Sequence, residues 1–413
     1  MRASELLRLD DLEFLRAVAQ RYPEMYHLIG KAEATPEGNP ILKESAWTYQ
    51  VFPHTDVEPT AIEAERTLVS LLCFKWVLTN QYEKFTGVQE AKVRLTRASF
   101  AALHGYTERV AARTEETLEF CLYSIACNDL GKTQFCITEH GKRIKLSAAD
   151  HDLLLFELLQ QAPDLFPAFR KRLTPALQEI YIKGLGANLN LGQMVQGENF
   201  ACNLLAMQAL DPNSRELRLV CELFDFAGIL GHVNASGSLI MTEENYVAYS
   251  KAIVELMTEP KEYAYQRYII QRGALVGIDV TTPQGFAKAR LATLARAFTP
   301  DIGAMIQVVW DTLSLDTQTL LTRELNITGC DGERGILLYY APAVIANATK
   351  GHGGDFTAGL SYALHVLADV YRATRATACP GDGVITVNVS ALAKEALQVS
   401  EEVSKCRMTA ACH

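Results

Sequence analysis

The chain has 413 residues, of which 49% are hydrophobic, and its formal net charge is −9 at pH 7. The charge argues against non-specific nucleic-acid binding by the whole surface. No apolar run approaches a membrane span, and the first 25 residues alternate charges with apolar residues, unlike a signal peptide. Ten scattered cysteines without a CxxC pair favour a reduced, cytoplasmic protein over a disulfide scaffold.

Apolar residues recur at helical spacing along most of the chain, and this pattern predicts a mostly all-α fold. The one strand-like run is Val384 to Val389, and a single short strand needs a partner to form a sheet. The length suggests two or three subdomains. We divide the sequence into an N-terminal helical region with a Pro-rich loop (1–90), a central helical core (91–260) and a C-terminal helical region (261–413).

The central stretch LEFCLYSIACNDLGK, residues 118–132, reads as a buried apolar helix that ends in a polar cluster. Asn128 and Asp129 place two oxygen-bearing side chains at the end of this helix. Gly131 suits a helix C-cap, and the charge of Lys132 suits the C-terminal end of the helix dipole. Asn128, Asp129 and Lys132 are therefore candidate site residues.

A further helix is expected to begin near Ser147, in the sequence SAADHDLLL. Asp150 and Asp152 then lie near its first turn, where a carboxylate stabilises the helix N-terminus without any other role. The alternative is that both belong to the site. His151 lies between them and could move a proton at neutral pH.

The segment LGQMVQGENF carries Gln193, Gln196, Glu198 and Asn199. Three of them are spaced by three residues, so on a helix they would share one face with Glu198 beside it. Such a face can hydrogen-bond the backbone of a peptide-like substrate. The alternative is an ordinary solvated face.

The apolar segment RELRLVCELFDFAGILGHV carries Glu222, Asp225 and His232. Acidic residues in so apolar a helix cost free energy unless they are paired or functional. Arg218 lies one turn before Glu222 and could pair with it, and His232 could cap the helix. Asp225 is the best isolated candidate for a buried functional carboxylate.

Residues 118–132 resemble the motif of HD-domain phosphohydrolases, in which an apolar helix is followed by His-Asp, a hydrophobic residue, Gly and Lys. His104 is similar to the first histidine of that pattern. The resemblance implies an HD-domain-like helical core wrapped by N- and C-terminal helices. Asn128 stands where the family has a metal-binding histidine. Because a carboxamide is a weak ligand for a divalent transition metal, we predict no metal site.

Five segments in order, ACNDLGKT, AADHDLLL, NLGQMVQGEN, ELFDFAGILGHV and ILLYYAPA, resemble a group of fungal proteins that includes arginine-containing cyclodipeptide synthases. The resemblance implies aminoacyl transfer from arginyl-tRNA and a second aminoacyl-tRNA to give a cyclo-arginine dipeptide. No cofactor is implied, because an aminoacyl ester is already activated.

The resemblance also implies roles for the candidate residues. The catalytic set is Asp129, His151, Asp225 and His232. The substrate-binding set is Asn128, Lys132, Asp150, Asp152, Gln193, Gln196, Glu198, Asn199 and Glu222. Two basic clusters could meet tRNA phosphates or could be solvated loops: Lys142, Arg143 and Lys145, and Arg170, Lys171 and Arg172.

Two other classes stay open on the sequence. One is an HD-type phosphohydrolase that would use His104, Asp129 and His151 with a divalent metal. The other is a helical binding protein without catalytic activity.

Overall fold

The computed structural model describes residues 1–30, 46–53, 61–144, 151–187 and 189–398. The chain forms two compact units. The first unit comprises Met1–Leu191 and Ala206–Ser250, and the second comprises Gly192–Leu205 and Lys251–His413. The first unit therefore contains the predicted region 1–90 and most of the region 91–260.

Helices make up most of the described chain. The α-helices up to residue 187 are α1 (Ala3–Leu6), α2 (Asp11–Arg21), α3 (Trp47–Val51), α4 (Ile62–Leu78), α5 (Tyr82–Thr86), α6 (Arg97–Ala111), α7 (Glu115–Cys127), α8 (Gln134–Arg143), α9 (His151–Gln161), α10 (Pro167–Arg172) and α11 (Pro175–Gly186). Those that follow are α12 (Leu191–Val195), α13 (Leu205–Ala209), α14 (Pro212–Gly228), α15 (Glu243–Met257), α16 (Ala264–Leu275), α17 (Pro283–Leu294), α18 (Pro300–Thr312), α19 (Leu315–Asn326), α20 (Ala341–Gly351) and α21 (Phe356–Arg375). A further helix spans 390–398.

Short 3-10 helices join several of these elements: Pro23–His27, Asn128–Lys132, Pro163–Leu165, Ala201–Leu204 and Lys261–Tyr263. The described strands are β1 (Gly335–Tyr339) and β2 (Val384–Asn388). They pair in parallel, with Gly335 opposite Val384 and Tyr339 opposite Asn388. The mostly all-α prediction is confirmed. The sequence pattern identified β2 but missed β1, because a five-residue apolar run does not distinguish a strand from a buried helix.

The first unit is built around α4, which is buried on nearly every side. A helix that is apolar all round must be covered by neighbours, and α4 packs against α6, α7 and α14. The contact with α14 is close at Gly228, where a Cβ would lie 2.4 Å from the backbone nitrogen of Ser70. The polar residues of α4 and α14 are consequently brought together at the centre of this unit.

The second unit has its own hydrophobic core. Trp310 and Ile306 from α18 pack there with Leu291 from α17 and with Leu360 and Leu364 from α21. Helices α20 and α21 connect β1 to β2, as parallel strands require a long crossover. Within the described residues, no helix combines the length and the apolar character that crossing a membrane requires.

Candidate functional site: a buried acidic cluster

Charged and polar side chains from four elements of the first unit meet in a mostly buried cluster. We call this the acidic cluster. Its members come from α4, from the 3-10 helix Asn128–Lys132, from the start of α9 and from α14: Glu63, Arg66, Asn128, Asp129, Lys132, His151, Asp152, Arg218, Glu222 and Asp225. His232 joins the cluster through Arg66.

Gly131 lets the 3-10 helix approach α9 closely. A Cβ at this position would lie 2.0 Å from the carbonyl oxygen of His151, a backbone atom that cannot move aside alone. The predicted C-cap role for Gly131 was wrong, because Gly131 lies inside the 3-10 helix Asn128–Lys132. The glycine is required by the approach of two backbones, which brings Asp129 near His151.

Lys132 links two carboxyl groups. Its Nζ lies 2.8 Å from Oδ1 of Asp129 and 3.2 Å from Oε2 of Glu63. Burial by itself raises the pKa of Asp129. The charges of Lys132 and His151, together with the hydrogen bonds from Lys132 and Glu63, outweigh the effect of burial and lower the pKa to about 2. Burial and the Asp129 charge raise the pKa of Glu63. Asp129 is therefore ionised at neutral pH.

Arg218 organises the other side of the cluster. Its Nη2 lies 2.5 Å from Oε1 of Glu222 and 3.7 Å from Oδ2 of Asp152, and its Nη1 donates to Oδ1 of Asn128 over 3.0 Å. The predicted pairing of Arg218 with Glu222 is confirmed. Burial and the charges of Asp152 and Asp129 outweigh Arg218 and raise the pKa of Glu222 to about 7.

Asp225 is the carboxyl group of the acidic cluster whose negative charge is least balanced by nearby cations. Burial raises its pKa well above the usual value, and the charges of Asp129, Glu222 and Glu63 add to the rise. Lys132 is the cation that acts against it, and Lys132 is already bonded to two other carboxyl groups. Ionisation of Asp225 is therefore disfavoured in the folded protein.

The two predicted histidines differ in their surroundings. His232 Nδ1 accepts a hydrogen bond from Nε of Arg66 over 3.2 Å, and the ring also bonds the backbone of Ile229 at the end of α14. Burial and the nearby Arg66 lower the pKa of His232. His232 thus caps α14 and orients Arg66. The side chain of His151 is 37% exposed, and its Nε2 lies 3.6 Å from Oδ1 of Asp152.

The first histidine of the HD-like pattern is bonded elsewhere. His104 Nδ1 donates to the carbonyl oxygen of Val77 over 2.8 Å, which ties α6 to the end of α4. In the described part of the chain, no group of three or more His, Cys, Asp and Glu side chains is arranged to hold a metal ion.

The four predicted residues of 193–199 belong to the second unit and do not share one helical face. Helix α12 ends at Val195, and Gly197 takes a positive φ of 74°. The shared-face prediction was therefore wrong, because Gln196, Glu198 and Asn199 all follow the end of this helix. The backbone oxygen of Gln193 accepts a hydrogen bond from the backbone nitrogen of Glu198.

The side chains of Gln196, Glu198 and Asn199 accept hydrogen bonds within the second unit. Gln196 accepts hydrogen bonds from Arg296, and Asn199 Oδ1 accepts one from the nitrogen of Phe200. Glu198 Oε1 accepts from the nitrogen of Tyr340 over 2.7 Å, at the start of α20. Tyr340 has a φ of 78°, an unusual value for a residue other than glycine.

The remaining predicted residues are outside the cluster or outside the described chain. Asp150 and Lys145 lie beyond the described residues. Lys142 and Arg143 pair with Glu139, and Arg170 pairs with Asp164. Lys171 and Arg172 are exposed.

Two members of the acidic cluster were missed by the sequence interpretation. Glu63 and Arg66 lie in an otherwise apolar helix, the same signal that singled out Asp225. A buried charged side chain costs free energy in α4 just as it does in α14. The same criterion, applied to α4, would have identified both residues. What the sequence does not show is that Lys132 links Glu63 of α4 to Asp129 of the 3-10 helix.

Glu198 predicts a pH dependence for the stability of the second unit. Burial raises its pKa to about 7. The folded state therefore retains this proton while the unfolded chain loses it, so stability falls as pH rises from about 4.5 to 7. Glu198→Gln is expected to match the wild type near pH 4 and to exceed it by about 3 kcal/mol above pH 7.

Urea unfolding at pH 4 and pH 8 measures this difference. The control is Glu333→Gln, which removes an exposed carboxylate of the same unit that pairs with Arg323. An equal difference between Glu198→Gln and the wild type at both pH values contradicts the prediction.

The protein is mostly helical, and its first unit contains a mostly buried cluster of acidic and basic side chains. The chain belongs to the family described as "Family of unknown function (DUF6829)", whose sequence model matches residues 47–404. The match spans the acidic cluster and most of the second unit. Neither the curated proteins nor the solved structures contain a match to the chain.

Proposed function

We propose that the acidic cluster is the substrate site of a tRNA-dependent cyclodipeptide synthase. The enzyme would join arginine from arginyl-tRNA to a second aminoacyl group and release a cyclo-arginine dipeptide. One observation carries the proposal, which is the surplus of carboxyl groups over cations in the cluster. The five carboxyl groups are Glu63, Asp129, Asp152, Glu222 and Asp225, against the three cations Arg66, Lys132 and Arg218 and the ring of His151.

A cationic ligand would remove this imbalance. Asp225 is only partly buried. A guanidinium group presents two parallel N–H donors to a carboxylate, and the pair is strongest where water is excluded. Binding would favour the ionised form of Asp225 and release its proton. The substrate class that fits is therefore an arginyl group.

The chemistry needs positioning and a proton acceptor. An aminoacyl ester is already activated, so holding an amine near its carbonyl carbon supplies much of the rate. Each amide bond forms as the amine loses a proton and the 3′-oxygen of a tRNA leaves and takes one up. Glu222, with a pKa near 7, and the exposed ring of His151 can serve as proton acceptors.

The other predicted roles follow from the contacts. Asp129 and Lys132 would fix the electrostatics around Asp225, and Asn128 would orient Arg218. His232 would position Arg66. Aminoacyl-tRNA substrates imply that the proposed activity takes place in the cytoplasm. Because the aminoacyl ester is already activated, no step of the proposed reaction requires a cofactor.

The test is mass spectrometry of extracts from a bacterial host that expresses the chain. We expect a new arginine-containing cyclic dipeptide that is absent from the empty-vector host. Asp225→Asn is expected to lower its amount by on the order of 100-fold. The matched control is Glu216→Gln, on the same helix, where the carboxylate pairs with Arg109 outside the cluster.

Absence of the product from cells that hold folded wild-type protein would overturn the proposal. An assay for metal-dependent phosphoester hydrolysis by purified protein would then test the HD-type alternative. If Asp225→Asn and the wild type gave equal amounts of product, the protein would still be a synthase. The acidic cluster would then not be its substrate site.

A further inference from the structure

Two cysteines of the second unit lie side by side. Cys202 is in the 3-10 helix Ala201–Leu204, and Cys330 is in the turn between α19 and β1. The backbone nitrogen of Cys202 donates to the carbonyl oxygen of Thr328 over 3.2 Å. A Cβ added to Gly329 would lie 2.5 Å from Sγ of Cys202. The glycine therefore leaves the space that the Cys202 thiol occupies.

The Cys202 thiol donates to Oδ1 of Asn203 over 3.5 Å and the Cys330 thiol to the carbonyl oxygen of Thr328 over 3.9 Å, the same carbonyl that accepts from the Cys202 backbone nitrogen. Cys330 is exposed, whereas Cys202 is half-buried. An oxidant can consequently reach Cys330 first, with the second thiol already beside it. Cys379 is also exposed.

We propose that Cys202 and Cys330 form a reversible disulfide when the protein meets hydrogen peroxide. The Cys330 thiolate attacks one peroxide oxygen, the O–O bond breaks, and a sulfenic acid and hydroxide form. The Cys202 sulfur then attacks the sulfenic sulfur, the S–O bond breaks, and water leaves. In total, two thiols and one peroxide give one disulfide and two waters.

The disulfide would fix the segment Gly192–Leu205 to the turn that contains Cys330. This segment carries Gln196 and Glu198, whose side chains accept hydrogen bonds from Arg296 and from the nitrogen of Tyr340. Burial raises the pKa of Cys202 to about 11 and also raises the pKa of Cys330. Because the thiolate is the reacting form, we expect the cross-link to form faster at pH 8.5 than at pH 7.

The proposal is independent of aminoacyl transfer, and its test uses the full chain. Cys406 and Cys412 are first replaced by serine so that the C-terminal thiols do not contribute. The protein is treated with hydrogen peroxide, digested without reduction, and analysed by mass spectrometry. We expect an intact mass lower by about 2 Da and a cross-linked peptide pair containing Cys202 and Cys330.

Three variants control this experiment. Cys202→Ser and Cys330→Ser are each expected to abolish the cross-linked pair, whereas Cys379→Ser is expected to retain it. Closing so long a loop should also raise the Tm of the second unit by about 5 °C, and dithiothreitol should reverse the rise. Oxygen addition to Cys330 without a cross-link, or no change in mass, would overturn the proposal.

Discussion

Asp225→Asn is expected to stabilise the first unit above pH 7 while it removes the proposed activity. The folded protein holds the proton of Asp225 well above the pH at which an unfolded chain loses it, so stability falls as pH rises. Asparagine is neutral at every pH and avoids that loss. We expect urea unfolding at pH 8 to show a gain in the free energy of unfolding, which shrinks towards zero near pH 4.

A gain in stability together with a loss of product is typical of a functional group that the fold would not retain for stability alone. Glu216→Gln is the control, since its carboxylate is on the same helix and pairs near the surface with Arg109. If Asp225→Asn lowers stability at pH 8, then Asp225 contributes to the stability of the fold. The surplus of carboxyl groups over cations in the acidic cluster would then not be evidence for a ligand.

Lys132→Met is expected to have the opposite effect on stability. Its ammonium group is the cation between Asp129 and Glu63, and methionine keeps much of the side-chain volume without the charge. Removing one partner of a buried ion pair typically costs about 3–5 kcal/mol, because the remaining charges stay buried without compensation. We expect a loss of that size in urea unfolding at pH 7.

The loss should diminish near pH 4, because Asp129 and Glu63 can then take up protons once their cation is gone. Lys142→Met is the matched control. It removes a lysine that also pairs with a glutamate, but the Lys142 side chain is 64% exposed, so no comparable loss is expected. Equal effects of the two substitutions would show that the acidic cluster does not depend on Lys132.

Helical periodicity was sufficient to predict the fold class, because long amphipathic and apolar runs recur through the chain. It also located Asp129, Glu222 and Asp225, since a carboxylate in an apolar helix is conspicuous in sequence. It could not show that α4 supplies Glu63 and Arg66 to the same place, because that depends on how α4 packs against α14. Long-range packing is not encoded in local spacing.

The interpretation of residues 193–199 was wrong for a local reason. The spacing of Gln193, Gln196 and Asn199 fits a helix, but α12 ends at Val195 and Gly197 then takes a positive φ, so the helix does not reach Asn199. Glycine in such a run is a stronger signal than the spacing of the polar residues around it. The side chains that looked available for a substrate instead bond neighbouring parts of the second unit.

The path of the chain between the two units determines how the protein can be dissected. A fragment that stops at Leu191 lacks α14, and with it Arg218, Glu222 and Asp225. A fragment that continues to Ser250 recovers α14 but also includes Gly192–Leu205, whose contacts belong to the other unit. No single cut separates the units cleanly, so domain-swap chimaeras should exchange Gly192–Leu205 together with the chain after Ser250.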